Sequence, residues 1–144
     1  MLLQKETNPA LNTVTAYGND YIEINKTRHT NSIYFMPEGQ IHDLDILNPS
    51  DFTTETLQRV TGVCTAPKDP LTFLDGTQPS LQNPENIEVV LIGTGATQQL
   101  LPPAVISQLL AIRIGVEVMD TQAAARTYNI LMSEGRRVVA ALLI

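Results

Sequence analysis

At 144 residues the chain has the length of one domain, able to bury about two thirds of its unfolded surface in a single core. Nine Lys plus Arg against fifteen Asp plus Glu give a formal net charge of −6, which excludes a broad grip on nucleic-acid phosphates and disfavours anionic membranes. The single cysteine, Cys64, rules out an internal disulfide and a cysteine-rich zinc module, and fits a reducing compartment.

The first residues, "MLLQKETNPALN", hold neither an apolar core of signal-peptide length nor an Arg-rich amphipathic pattern, so the expectation is a soluble, unprocessed, cytoplasmic protein with no direct membrane insertion. From residue 14 to 36 apolar residues alternate around Tyr21, Ile24, Ile33 and Phe35, broken by Gly18-Asn19-Asp20; this predicts an antiparallel meander. Phe52, Leu57 and Val60 stand near helical spacing, with Ser50 or Asp51 placed to cap a short helix over 51–60. Next comes "APKDPLTFLDGTQPSLQNPEN", with four prolines. It predicts irregular connection around one short strand, Leu71 to Leu74.

The second half alternates strand and helix. A strand is predicted over 87–92, a helix over 102–113 that opens on prolines, places Val105, Leu109 and Ile112 on one stripe and stops at Gly115, then a strand over 116–119. Asp120-Thr121 caps a helix over 121–134 that buries Ala124, Tyr128 and Leu131, and Gly135 closes it. Residues 137–143 form a last strand within "RRVVAALLI", which ends on seven consecutive apolar residues and so needs cover on both faces. This order gives parallel pairing through right-handed crossovers. The expected fold is a single α/β domain of three layers: a mixed central sheet with parallel βαβ units in the second half, and an amino-terminal antiparallel β layer.

"VVLIGTGATQQLLPP" begins like a phosphate-binding turn. A dinucleotide fingerprint needs G-x-G-x-x-G with a helix starting inside it. Here Gln98 holds the third glycine's place, and no helix starts comfortably before Pro102; Glu117 has a ribose-binding spacing that any βαβ unit produces by chance. No Gly-Lys-Ser or Gly-Lys-Thr follows, so a P-loop is excluded. Gly93-Thr94-Gly95 therefore reads as a tight exit turn, with a bowl of backbone N–H groups for a small anion as the alternative. His42, Asp43 and Asp45 mix imidazole and carboxylate, but no second histidine stands nearby; no metal site is expected. Cys64 has no base beside it and reads as a buried structural thiol. Ser107 and Ser133 lack a G-x-S-x-G context. No catalytic residue and no cofactor is predicted.

The last helix holds the most distinctive polar set. Arg126, Asn129 and Ser133 share a face, while Glu134, Arg136 and Arg137 crowd the turn into the final strand. "GTGATQQ" and "GVEVMDTQAAARTYNILMSEGRRVVAALLI" together resemble the small uncharacterised family whose eukaryotic members include a mitochondrial respiratory complex I assembly factor. The resemblance rests on G-T-G, M-D-T-x-A-A-x-R-T-Y-N and E-G-R-x-V-x-A-A-L, and extends weakly over the meander. It implies a three-layer α/β fold, no established catalytic activity, and a role in assembling membrane-bound respiratory complexes through protein contacts, here in a bacterial relative. Where other members often have a cysteine before Arg-Thr-Tyr-Asn, Ala125 stands, which argues against thiol chemistry.

Two functional classes follow. One is a noncatalytic interaction factor with a protein partner, no nucleic acid, and self-association left open; the other is a binder of a small anionic ligand, or an enzyme, using Gly93-Thr94-Gly95 with Arg126. For both, the candidate surface comprises Gly93, Thr94, Gly95, Asp120, Thr121, Arg126, Asn129 and Arg136, gathered where the carboxyl ends of the strands meet the last helix.

Overall fold

Two apolar runs of the second half, residues 89–93 and 138–142, form the centre of the molecule. A computed structural model describes residues 11–65 and 81–144. The strand expected at Leu71–Leu74 lies outside the described residues.

Strands β1 (Val14–Tyr17), β2 (Ile22–Ile24), β3 (Thr27–His29), β4 (Ile33–Phe35) and β5 (His42–Asp43) come first, then helix α1 (Thr54–Thr61). After the short strands β6 (Cys64–Thr65) and β7 (Leu81–Gln82) follow β8 (Val89–Gly93), α2 (Pro103–Ala111), β9 (Gly115–Met119), α3 (Thr121–Ser133) and β10 (Val138–Leu142). The central sheet runs β5-β4-β10-β8-β9. Strand β8 pairs in parallel with both β10 and β9, with Leu91 beside Ala140 and Glu117. Every residue of β8 and β10 is buried, as their continuous apolar composition requires of strands covered on both faces.

One face of this sheet packs Val90, Ile92 and Val139 against Leu57 and Val60 of α1 and Leu109 of α2. The other packs Leu91, Ala140 and Leu142 against Ala124, Ala125 and Tyr128 of α3, and against Ile22 and Ile24 of the small sheet β1-β2-β3. These are the three expected layers. The meander divides, however: β4 leaves it and pairs antiparallel with β10, Phe35 opposite Ala140. Ile33 and Phe35 are almost wholly buried, and the central sheet gives them more cover than a fourth strand of a surface ribbon would receive.

Capping chemistry sets the helix ends, not always where the sequence suggests. At α1 the cap is Thr53, whose hydroxyl accepts from the Thr56 amide at 3.1 Å; Ser50 and Asp51 belong to a preceding 3₁₀ turn. Gly62, at φ +75°, closes α1. The chain leaves α2 through Arg113 at φ +65°, so Gly115 does not stop that helix and is already the first residue of β9. Asp120 caps α3 as expected, its carboxylate accepting from the Ala123 amide at 2.9 Å, and Gly135 closes it at φ +78°.

The amino-terminal layer is fastened to α3 by two adjacent residues. Asn129 donates from Nδ2 to the Val14 carbonyl at 2.7 Å and accepts the Val14 amide at 2.9 Å, replacing a strand partner for β1. Tyr128 donates its hydroxyl to the Asn12 carbonyl at 2.7 Å and meets Phe35 edge to face at 4.7 Å. Asn12 in turn donates to the Met36 and Gly39 carbonyls at 2.8 and 3.0 Å.

Candidate functional site

The exit turn of β8 abuts the start of α3, and their contact is made of the residues that look most functional. Thr94 is buried; its amide donates to the Met119 carbonyl at 2.9 Å, and its hydroxyl donates to the Thr97 carbonyl at 2.7 Å and accepts the Gln99 amide at 3.1 Å. The Thr121 hydroxyl donates to the Leu143 carbonyl at 2.6 Å and accepts the Gly95 amide at 2.8 Å, while the Thr121 amide donates to the Gly95 carbonyl at 2.9 Å. One hydroxyl thus ties the turn, the helix start and the end of the last strand together. Gly95 sits at φ +100°, in the region only glycine visits readily. With its amide engaged, Gly95 cannot serve as a donor to an anion.

Beside this junction lies an open cleft of about 470 Å³, lined among others by Gly18, Tyr21, Gly95, Asp120, Gln122 and Arg126. Arg126 is exposed. Its guanidinium donates to the Tyr17 hydroxyl at 3.2 Å and lies 5.7 Å from the centre of that ring; this hydrogen bond, helped by the Asp120 carboxylate, holds its pKa above the ordinary value, so it is a permanent cation. Gln122 reaches Asn19 at 3.3 Å across the cleft. On the far wall Arg28 lies over the Tyr21 ring at 4.0 Å.

Of the eight residues singled out, Gly95, Asp120, Thr121 and Arg126 line the cleft. Gly93 and Thr94 are buried and do not line it. Asn129 is engaged with Val14, and Arg136 is elsewhere: it pairs with Glu88 at 2.7 Å, at the amino-terminal end of β8, one strand length or roughly 15 Å from the turn. Cleft residues that the sequence did not suggest, Gly18, Asn19, Tyr21 and Gln122, come mostly from the β1–β2 hairpin, which only the tertiary fold brings to α3.

Glu88 accepts from the Arg136 side chain and from the Arg137 amide, and these bonds lower its pKa below the ordinary 4.5. A carboxylate depressed in the folded state contributes stability above its unfolded pKa and loses it as pH falls through the folded value. Acid melts of Glu88→Gln are therefore expected to fall less steeply below about pH 5 than those of wild type. The difference should be small and should shrink in high salt, since both side chains are about half exposed; a steeper acid limb in the variant would contradict the assignment.

The remaining candidates have ordinary roles. His42 stacks on Tyr34 at 4.9 Å with Asp43 beside it on the sheet edge, and among the described residues no group of three His, Cys, Asp or Glu side chains converges. Cys64 is exposed rather than buried, because β6 is a two-residue surface strand paired, among the described residues, only with β7. Ser107 and Ser133 bond back to carbonyls of their own helices.

A family model described as "Protein of unknown function (DUF498/DUF598)" matches residues 14–143. The chain belongs to that family. It is similar to a Bordetella pertussis protein whose solution structure is described as an Mth938-like domain, 50% identical with a TM-score of 0.76, covering 99% of this chain and 92% of that one. It is also similar to the Danio rerio "NADH dehydrogenase [ubiquinone] 1 alpha subcomplex assembly factor 3", 46% identical over 57 residues, 40% of this chain and 33% of that protein. A third relative is the "13 kDa major membrane protein" of Francisella tularensis, 42% identical over 53 residues, 37% of this chain and 43% of that protein. The matched segments make up 31% to 46% of the lengths of the curated relatives. No helix among the described residues is long and apolar enough to cross a membrane.

Proposed function

We propose that this family member works by contact, as a noncatalytic cytoplasmic factor of a bacterium whose Arg126 cleft holds a carboxylate or other polar group of a partner protein during assembly of a larger complex. The observation that carries the reading is the division of labour at the β8–α3 junction. Thr94, Gly95 and Thr121 are engaged within the fold, while Arg126 and Gln122 face an open cleft. Arginine with its planar fork is enriched among residues that anchor interfaces. The assembly factor among the relatives supports this class of role, and assembly of membrane-bound respiratory complexes is the specific form it suggests. The cleft volume of about 470 Å³ supports a second reading, a small anionic ligand, since pockets of this size hold one.

Affinity capture from the source cell with wild type and Arg126→Ala tests the proposal, after circular dichroism and melting show that the variant is folded. A partner lost with Arg126 supports it. An unchanged partner set refutes the contact role of this residue, and an anionic metabolite retained in native mass spectrometry favours the second reading. Titration calorimetry with NAD, ATP and FAD is expected to show no micromolar binding.

A further inference from the structure

Among the described residues the central sheet ends on one side at β9, whose sole neighbour there is β8. The Gly115 amide donates to the Glu88 carbonyl at 2.9 Å, and the Met119 carbonyl accepts the Thr94 amide at 2.9 Å. Backbone groups alternate along a strand, so Gly115, Glu117 and Met119 face β8 while Val116 and Val118 turn theirs outward. The Ile114 carbonyl also points outward, because it shares a planar peptide with the Gly115 amide. Two groups on this edge are already paired within the chain. The Ile114 amide donates to the Leu109 carbonyl at 2.9 Å, and the Val118 carbonyl accepts from Gln98 Nε2 at 2.9 Å. Five stay open among the described residues: the Val116 amide and carbonyl, the Val118 amide, the Ile114 carbonyl and, just past the strand, the Asp120 amide, which shares a planar peptide with the Met119 carbonyl.

We infer that β9 is a self-association edge, on which a second copy of this chain pairs antiparallel with Val116 at the two-fold axis. In that register the two Val116 residues exchange both hydrogen bonds, and each Val118 amide meets the other copy's Ile114 carbonyl. The four open groups from Ile114 to Val118 are satisfied. The one bond the register cannot form, Ile114 amide to Val118 carbonyl, joins the two groups that are already paired inside each chain. Neighbouring registers fail this condition. Centring on Glu117 sets two carboxylates directly opposite and needs the Val118 carbonyl that Gln98 occupies; centring on Val118 needs that carbonyl at both ends. The Val116 register places Glu117 opposite Gly115. An isologous pair of this kind closes on itself.

The surroundings suit a second copy better than a charged partner. Between residues 89 and 119 the only charged side chains are Arg113 and Glu117, whose charges cancel. Helix α2 beside the edge has no charged residue, and its Leu110 is 52% exposed. Strand β9 contains neither the proline nor the lysine that commonly blunts an edge. The edge is separate from the Arg126 cleft, and the inference stands without the proposed contact role there.

Sedimentation from micromolar to millimolar concentration is expected to show a reversible dimer. Amide exchange followed by NMR should slow at Val116 and Val118 as concentration rises, while Glu117, held by β8, stays unchanged. Val116→Pro removes the outward donor and leaves the β8 ladder intact, a substitution edge strands tolerate; it should weaken self-association at least about tenfold in a variant that circular dichroism shows to be folded. If that variant does not fold, exchange in the wild type decides. A monomer at every concentration, a dimer with unchanged Val116 and Val118 exchange, or an edge that pairs only with a foreign strand overturns the inference.

Discussion

Gly93→Ala is expected to destabilise the protein by about 3 kcal/mol, the upper part of the range for overpacking a dense core. A Cβ built at Gly93 would lie 2.9 Å from each of three atoms: Leu142 Cδ2, Thr121 Cα and Thr121 Oγ1. The leucine methyl can turn aside. The Thr121 backbone cannot, because its amide and hydroxyl are fixed to Gly95 and Leu143, so relief requires moving the start of α3 off the sheet. At Gly95 a Cβ meets nothing within 4 Å, and only the φ of +100° resists substitution, for about 1–2 kcal/mol. Equilibrium urea denaturation of the two variants separates these causes. A larger loss at Gly95 than at Gly93 would show that backbone conformation, not close approach of α3, is the reason for the Gly-Thr-Gly turn.

The close approach of Thr121 thus accounts for a phosphate-like turn whose neighbour is a threonine hydroxyl. Periodicity alone located β8, α2, β9, α3 and β10 to within about two residues, because each is a long regular run whose apolar face has one period. Short elements were less legible. Nothing within Ile33–Phe35 distinguishes a meander strand from an edge partner of β10; that choice depends on burial supplied by residues a hundred positions later. The ends of α1 and α2 were misplaced because several polar or glycine positions compete locally. Thr53 prevailed over Ser50 and Asp51, and Arg113 took the left-handed position that Gly115 seemed designed for.

The residues of the compound motif serve largely structural ends. In M-D-T-x-A-A-x-R-T-Y-N, Asp120 caps α3 and Thr121 joins three chain segments; Ala124 and Ala125 let the helix approach the sheet, and Tyr128 and Asn129 hold the β1 layer. Of this run, Arg126 brings the cation to the cleft, beside the Asp120 carboxylate. Asn129 and Ser133 share its face by spacing, as the sequence indicates, yet their side chains are engaged in the fold. Arg136 looked near in sequence and is far in space, since thirteen helical residues carry the chain back along the length of the sheet.

Tyr128 carries the second large effect. Tyr128→Ala is expected to cost about 3–5 kcal/mol, the usual loss when a buried aromatic ring is truncated, because the ring is wholly enclosed and packs edge to face on Phe35. Tyr128→Phe keeps that packing and removes only the hydrogen bond to the Asn12 carbonyl, for about 1–2 kcal/mol. The difference between the two measures how much of the joint between α3 and the β1 layer is ring and how much is hydroxyl. Burial also pushes the Tyr128 phenol well above its ordinary pKa of 10.0. The proton-binding form is the one the fold favours, so this contribution is complete below the unfolded pKa and declines as pH rises beyond it. Wild type should therefore lose stability on the alkaline side more steeply than Tyr128→Phe, with the phenolate of Tyr128 appearing in ultraviolet difference spectra only together with unfolding. Parallel alkaline limbs in the two proteins, or a phenolate at this residue while the fold persists, would mean that water reaches the hydroxyl and that the Asn12 contact does not seal the layer.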